Sequence, residues 1–473
     1  MLDIIKKYFI QLSIILIIIS CSSTKTNVSQ YEKIDQNVYS GNYQAAISQI
    51  KESKEKVYKE KDKVLYYLNL GMLYHYAGEY EKSNEFLTKA EYGIEDLFTK
   101  SASKIATSIL LNDNALDYSG EDYEDIYLNV FKALNYIKLN EIDASFVEIN
   151  RINLKLNKLD DKYKDLGDKM SAAMSKKNDE DSEDKNSKDE NKPEFKPAKN
   201  KFHNDVLGKL ISMLLYRSDN DWDDAKMDLN KIKEAWHSQS QIYNFTMPQL
   251  DPYLERTDET KVNILSFIGK SPVKKAATYY ITTFDGHVNI TSTEPVQFSQ
   301  TMSWPCKAGK HFKFSLPYMA KRGSVVSRIS VEVDGVEKKE LNLIENMENV
   351  AHTTFKVKAP LIYVKSVVRT ILKGLASEKA KDEMDKQIAN PYLAFASKLA
   401  TDITVDMTEN ADLRISRFFP SQAMIGEIEV GSGLHNINVK YFDSNNQLLY
   451  TDNIGDIFVS SSGLNLVESF YLQ

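Results

Sequence analysis

Tyr67-Leu68-Asn69-Leu70-Gly71-Met72-Leu73-Tyr74-His75-Tyr76-Ala77-Gly78-Glu79-Tyr80, continuing to Ala90, is the stretch whose spacing decides the fold. Tyr67, Leu70, Tyr74 and Leu87 recur at helical intervals, while Gly71 and Ser83 are small where two antiparallel helices would bring their backbones together. Gly78 supplies the positive φ that ends a helix, and Glu79-Tyr80-Glu81 opens the next one. The stretch therefore predicts a helix pair.

That order of residues is the W-x₂-L-G-x₂-Y run of a tetratricopeptide (TPR) unit, with tyrosine in place of the tryptophan. One unit cannot bury its apolar face alone, so the reading requires neighbours. Upstream, Gly41-Asn42-Tyr43 with Ala46 and Ile50 repeats the turn and second-helix positions 37 residues before Gly78, close to the period of about 34. Downstream, Ala133 and Tyr136 lead to Asn140, Ile142, Ser145 and Ile149, with Asn at the turn. A fourth copy has Met213 and Tyr216, then Asn220, Trp222, Ala225, Leu229 and Ile232. Four degenerate copies predict a short solenoid over residues 31–158, completed by a last pair over 201–247.

The 473 residues, 27% charged and 42% hydrophobic, describe a multidomain body and not a multi-span membrane protein. A net charge of −7 gives no general reason to expect nucleic-acid binding. Two cysteines cannot make a disulfide framework. Lys6 and Lys7, the apolar run from Tyr8 to Ile19, and Ile18-Ile19-Ser20-Cys21 read as a bacterial lipoprotein signal over 1–20. Cleavage would leave Cys21 as an acylated N-terminus on a polar tether, 21–30, and its chains would attach the protein to a membrane. Ser22 carries no charge beside that anchor, which points the address to the outer membrane.

Residues 159–200 are rich in both charge signs and read as a disordered linker, apolar residues being absent from Lys176 to Lys192. After residue 258 the composition changes to β-branched and aromatic runs: 262–268, 278–284, 312–316, 329–333, 425–430, 437–442 and 448–450. Asp334-Gly335 marks a hairpin. The chain thus reads as α+β and multidomain: a TPR-like solenoid, then an antiparallel β-sandwich-like domain over 258–360 and 411–473. Val364, Val367, Val368, Ile371 and Leu375 place an amphipathic helix in an insertion over 361–410, with a second helix from Tyr392 to Leu399.

Asn112-Asp113-Asn114-Ala115-Leu116-Asp117-Tyr118-Ser119-Gly120-Glu121-Asp122 has the density of an ordered loop. Together with Gly71 to Ala90 it resembles an uncharacterised bacterial family of TPR lipoproteins. Gly269-Lys270-Ser271-Pro272-Val273-Lys274, Val367-Val368-Arg369, and Ala411-Asp412-Leu413-Arg414 before Phe419-Pro420 are similar to its C-terminal landmarks. The linker is expanded here, and Phe419 stands where leucine is expected. The family has no established activity, so the resemblance implies architecture only.

Chemistry-bearing motifs are few. Gly269-Lys270-Ser271 lacks the glycine a phosphate loop needs at 264, and Pro272 opposes a following helix. Gly431-Ser432-Gly433 sits between two alternating runs and reads as a β-turn. Asp219, Asp221 and Asp223 resemble a calcium loop, but Asp224 occupies the glycine position and Asn230 the glutamate position, so a helix turn accounts for them. The seven histidines have no metal spacing, and Cys306 has no activating histidine nearby. No catalytic set, metal site or cofactor is expected. The expected function is a non-catalytic envelope lipoprotein that captures a protein or peptide segment in the solenoid's concave face, with Leu68, Met72, His75 and Tyr76 as candidate contacts. An accessory to cell-wall synthesis or envelope assembly, acting through the β domain, is the alternative.

Overall fold

The computed structural model describes residues 28–54, 58–103, 113–179, 200–292, 298–303, 308–309, 311–375 and 411–473. The expected signal, Cys21, Asn112, Cys306 and the helix at Tyr392–Leu399 lie outside them.

Among the described residues eight α-helices form the N-terminal half as four pairs: α1 Val28–Tyr39 with α2 Tyr43–Glu52, α3 Lys63–Tyr76 with α4 Tyr80–Ser103, α5 Asp122–Lys138 with α6 Ile142–Asp179, and α7 Val206–Ser218 with α8 Trp222–Ser238. Each pair is joined by the same turn. Gly41, Gly78, Asn140 and Asn220 have φ of 71°, 74°, 59° and 64°. In each, the next N–H reaches back five residues: Asn42 to Asn37, Glu79 to Tyr74, Glu141 to Tyr136, and Asp221 to Tyr216, all at 2.8–2.9 Å. This is the Schellman closure, which satisfies carbonyls the helix end leaves open and needs one left-handed residue, hence Gly or Asn. Close approach within α3 and α4 is equally explicit: a Cβ on Gly71 would lie 2.5 Å from Leu87 Cδ2, and Ser83 Oγ donates to the Gly71 carbonyl at 2.8 Å.

The pairs pack as a solenoid-like bundle, but α6 corrects the domain boundaries read above. Its 38 residues continue as helix to Asp179, so the first part of 159–200 is not linker. Ile152, Leu156, Leu159 and Tyr163 supply the reason, a buried stripe at helical spacing that holds the charged sequence in register.

Among the described residues the C-terminal half holds twelve strands in three four-stranded sheets. Sheet A orders β12 (Asn465–Tyr471), β1 (Thr260–Ile268), β9 (Gln422–Val430) and β8 (Asn342–Asn346). Sheet C orders β11 (Leu448–Val459), β10 (Gly433–Phe442), β6 (Arg328–Val333) and β7 (Val336–Glu340). Sheet B is a meander of β4 (Phe298–Ser303), β3 (His287–Ser292), β2 (Val273–Phe284) and β5 (His311–Ala320). Every pairing is antiparallel except β1 with β12, and Asp334-Gly335 closes β6 onto β7 with both φ positive.

Sheets A and C make the sandwich. Val262, Ile264 and Ile268 of β1 meet Ile329, Val331, Ile437, Val439 and Tyr441 across it. Alternate residues of the same strand, Leu265 and Phe267, join the core of the helical half. Strand β1 is therefore apolar on both faces because sheet A is covered on both. The helical insertion, α9, begins at Met347 and not at 361, and carries Pro360 inside it. Buried Val350, Ala351, Phe355, Val357, Leu361 and Tyr363 hold it between β5 of sheet B and α5, offsetting the hydrogen bond a mid-helix proline removes.

Candidate functional site

Leu68, Met72, His75 and Tyr76 do lie together on α3, but all four are buried, which corrects the expectation of an open concave surface. At Tyr76 and His75 the cover is the chain itself: residues 411–421, neither helix nor strand, pass Tyr76, and β12 faces His75.

The segment is held at successive positions. Asn69 Oδ1 accepts from Ser416 Oγ at 3.0 Å and from the Arg417 N–H at 3.2 Å. Glu124 Oε1 accepts the Ser416 N–H at 2.5 Å, and Tyr76 donates its hydroxyl to the Phe418 carbonyl at 2.7 Å. Arg417 pairs with Asp35 of α1 at 2.6 Å. These contacts resemble those of a groove reading a peptide backbone, except that the peptide belongs to the same chain. His75 Nδ1 lies 2.6 Å from Asn135 Oδ1, and Nε2 faces the Glu468 carboxylate at 3.3 Å, tying α3 and α5 to β12. Phe131 and Phe470 pack edge-on against the imidazole.

Arg414 makes the most polar contacts of the segment. It pairs with Asp62 at 2.9 Å and Asp412 at 2.8 Å, and it donates to the carbonyls of Asp113 and Leu116, both at 3.0 Å. Burial opposes its charge, yet the bonds to Asp412 and Asp62 overcome that and hold it above its ordinary range. Three of the landmark stretches meet at this point: the 113–123 loop, Gly269 to Lys274, and Ala411 to Pro420. Ser271 N–H donates to the Phe419 carbonyl at 2.7 Å, and Lys274 bonds Glu121. The loop between α4 and α5 takes part through the Asp113 and Leu116 carbonyls that accept from Arg414.

A cavity of about 330 Å³ opens beside this junction, a size suited to a small molecule. Ile94, Leu97 and Phe98 of α4, Leu166 of α6, and Leu361 and Ile362 of α9 form its apolar walls. Lys100, Lys162, Lys274, Lys358 and Lys365 line it against Asp113, Asp117, Glu121 and Asp412. Lys358 donates to the Gly120 carbonyl at 2.8 Å and to Glu121 at 3.1 Å. Its burial disfavours the ammonium, but Glu121 and Asp122 outweigh that and raise its pKa, so it stays charged. Lys162 bonds Asp122 at 2.6 Å and stands 5.0 Å above the Phe98 ring. Behind the wall, Glu124 is pushed up to about 7, by burial first and the neighbouring Glu121 charge second.

The other motifs fall as read. Gly269-Lys270-Ser271 connects β1 to β2 with no helix, Gly431-Ser432-Gly433 joins β9 to β10, and Asp221 caps α8. Among the described residues no three His, Cys, Asp or Glu side chains are placed to hold a metal ion, and no helix is long and apolar enough to cross a membrane. The residues missed by the sequence reading are Asn69, Glu124, Ser416 and Glu468. Asn69 carried a signal, being a polar residue inside an otherwise apolar helix; the others depend on pairing between distant segments. Comparison of the chain with protein-family models, with curated proteins and with solved structures finds no match in any of the three.

Proposed function

We propose that this protein is a non-catalytic scaffold of the bacterial cell envelope, anchored through an acylated Cys21, that presents a binding surface to a protein partner. The single observation that carries the reading is the use of the concave face in cis: the helical pairs hold residues 411–421 and sheet A, so their recognition capacity goes into positioning the β domain. That arrangement favours partner capture through the β half, the mode of an accessory to cell-wall synthesis or envelope assembly. Leu434 and Phe458, cross-strand neighbours on β10 and β11, are 66% and 73% exposed and offer apolar contact there.

The test is site-specific photo-crosslinking in intact cells. A probe at Phe458 is expected to trap a protein partner, while a probe at Tyr76 traps only this chain's own residues, Phe418 and Phe470 among them. Capture of a foreign peptide at Tyr76 would reverse the assignment. Labelling with radioactive palmitate, abolished by Cys21→Ser together with membrane retention, checks the anchor.

A further inference from the structure

The cavity beside the Arg414 junction is not used by the scaffold reading. Its lining is of two kinds. Apolar side chains come from three helices, and a ligand portion placed against them leaves water without losing hydrogen bonds. Ammonium groups are the second kind. Five lysines line the cavity against four carboxylates, and two of the four are committed: Glu121 accepts from both Lys274 and Lys358, and Asp412 is bonded to Arg414. An ammonium has three N–H donors. Lys162 and Lys274 each make one hydrogen bond, to Asp122 and Glu121 respectively, which leaves donors on cavity-lining groups. A ligand that meets both kinds needs an apolar body and an acceptor-rich, negatively charged end.

We propose that this cavity binds an anionic amphiphile: an acyl or alkyl chain against Leu97, Leu166 and Ile362, with its carboxylate or phosphate at Lys162 and Lys274. A cationic head would leave the ammonium groups without an added acceptor, and an uncharged hydroxyl would offer one without the opposing charge, so selectivity follows head charge. A free fatty acid and a phospholipid share this chemistry.

Displacement of a dansyl-labelled fatty acid from the full-length protein tests it, with all competitors below their micellar concentrations. Dodecanoate and dodecyl phosphate are expected to displace the probe about tenfold or more tightly than dodecanol, the difference a charge-assisted hydrogen bond supplies. A tighter carboxylate identifies a fatty acid as the source, and a tighter phosphate identifies a lipid headgroup. Lys162→Gln should weaken both anions about tenfold and leave dodecanol unchanged. Ile362→Trp, which fills the cavity without removing a charge, should weaken every competitor, so the proposal stays testable if the lysine variant fails to fold. Equal displacement by dodecanol, stronger displacement by dodecyltrimethylammonium, or unaltered binding in folded Ile362→Trp would overturn it.

Discussion

Individual residues here act through close approach and buried charge. Gly71 has no room for a methyl group, because Leu87 Cδ2 and the Leu87 backbone nitrogen, at 2.5 and 3.2 Å, occupy the place. Gly71→Ala should destabilise the protein by about 1–3 kcal/mol, and Leu87→Ala in the same chain should recover part of that loss, a coupling that urea unfolding of the double-mutant cycle measures. Arg414 is a different case, since removing it leaves Asp62 and Asp412 without their partner. Arg414→Ala should cost about 3–5 kcal/mol by the same measurement, far more than loss of an exposed pair such as Lys100 with Asp96. Glu124 links stability to pH. Its folded pKa of about 7 lies above the ordinary carboxyl value of 4.5, so the folded state holds the proton more tightly. The associated stabilisation is complete below the ordinary value and is lost as pH rises through about 7. Burial lowers His352 to about 4 and Lys270 to about 7, and these contribute with the opposite sign, so the test is a difference: between about pH 5 and 7 the urea midpoint of the unaltered protein should fall relative to that of Glu124→Gln. Glu345 and Asp205, both raised chiefly by burial, contribute in the same direction as Glu124.

Among the elements, the four helix pairs differ in sequence yet share one turn, and the cost of altering it should be a backbone cost. Gly78 has nothing within 4 Å of an added Cβ, so Gly78→Ala meets only the left-handed strain, about 1–2 kcal/mol. Asn220→Gly should be neutral or slightly stabilising. Scanning calorimetry of the two variants separates conformational strain from packing. The turns were legible in the sequence because each is local: a Gly or Asn, a small residue in the next helix, and apolar spacing on both sides. Strands with alternating or continuous apolar runs, such as β1, β6 and β10, were legible for the same reason. Strand β7, Val336–Glu340, was not, because all five of its residues are exposed and leave no pattern. Helix α9 was read from 361 and starts at Met347, since buried packing of its first turns, and not local propensity, carries the chain through Pro360.

At the scale of the whole molecule the helical and β halves are not separable modules. Phe131 of α5 packs on Phe267 of β1 with ring centroids 5.1 Å apart, and one apolar core extends from Tyr31 to Leu472. Thermal unfolding should therefore follow one transition, with far-UV circular dichroism and the fluorescence of Trp222 and Trp236 losing signal together; two resolved transitions would contradict a shared core. In a Trp304→Phe background tryptophan fluorescence reports the helical half, because the two remaining tryptophans, Trp222 and Trp236, lie in α8, Trp222–Ser238. By itself the sequence determined the helix pairs, their turns, the order of a helical and a β half, and most of the central strands. These follow from periodicity and turn chemistry within about twenty neighbouring residues. Only the tertiary structure decided what the concave face holds. Asn69 and Ser416, or Arg414 and Asp62, are separated by more than three hundred positions, and no spacing rule connects them. Leu68, Met72, His75 and Tyr76 carry the same apolar and aromatic character whether they meet a foreign peptide or their own chain, and the choice rests on which surface removes more of them from water while satisfying Asn69 and Glu124.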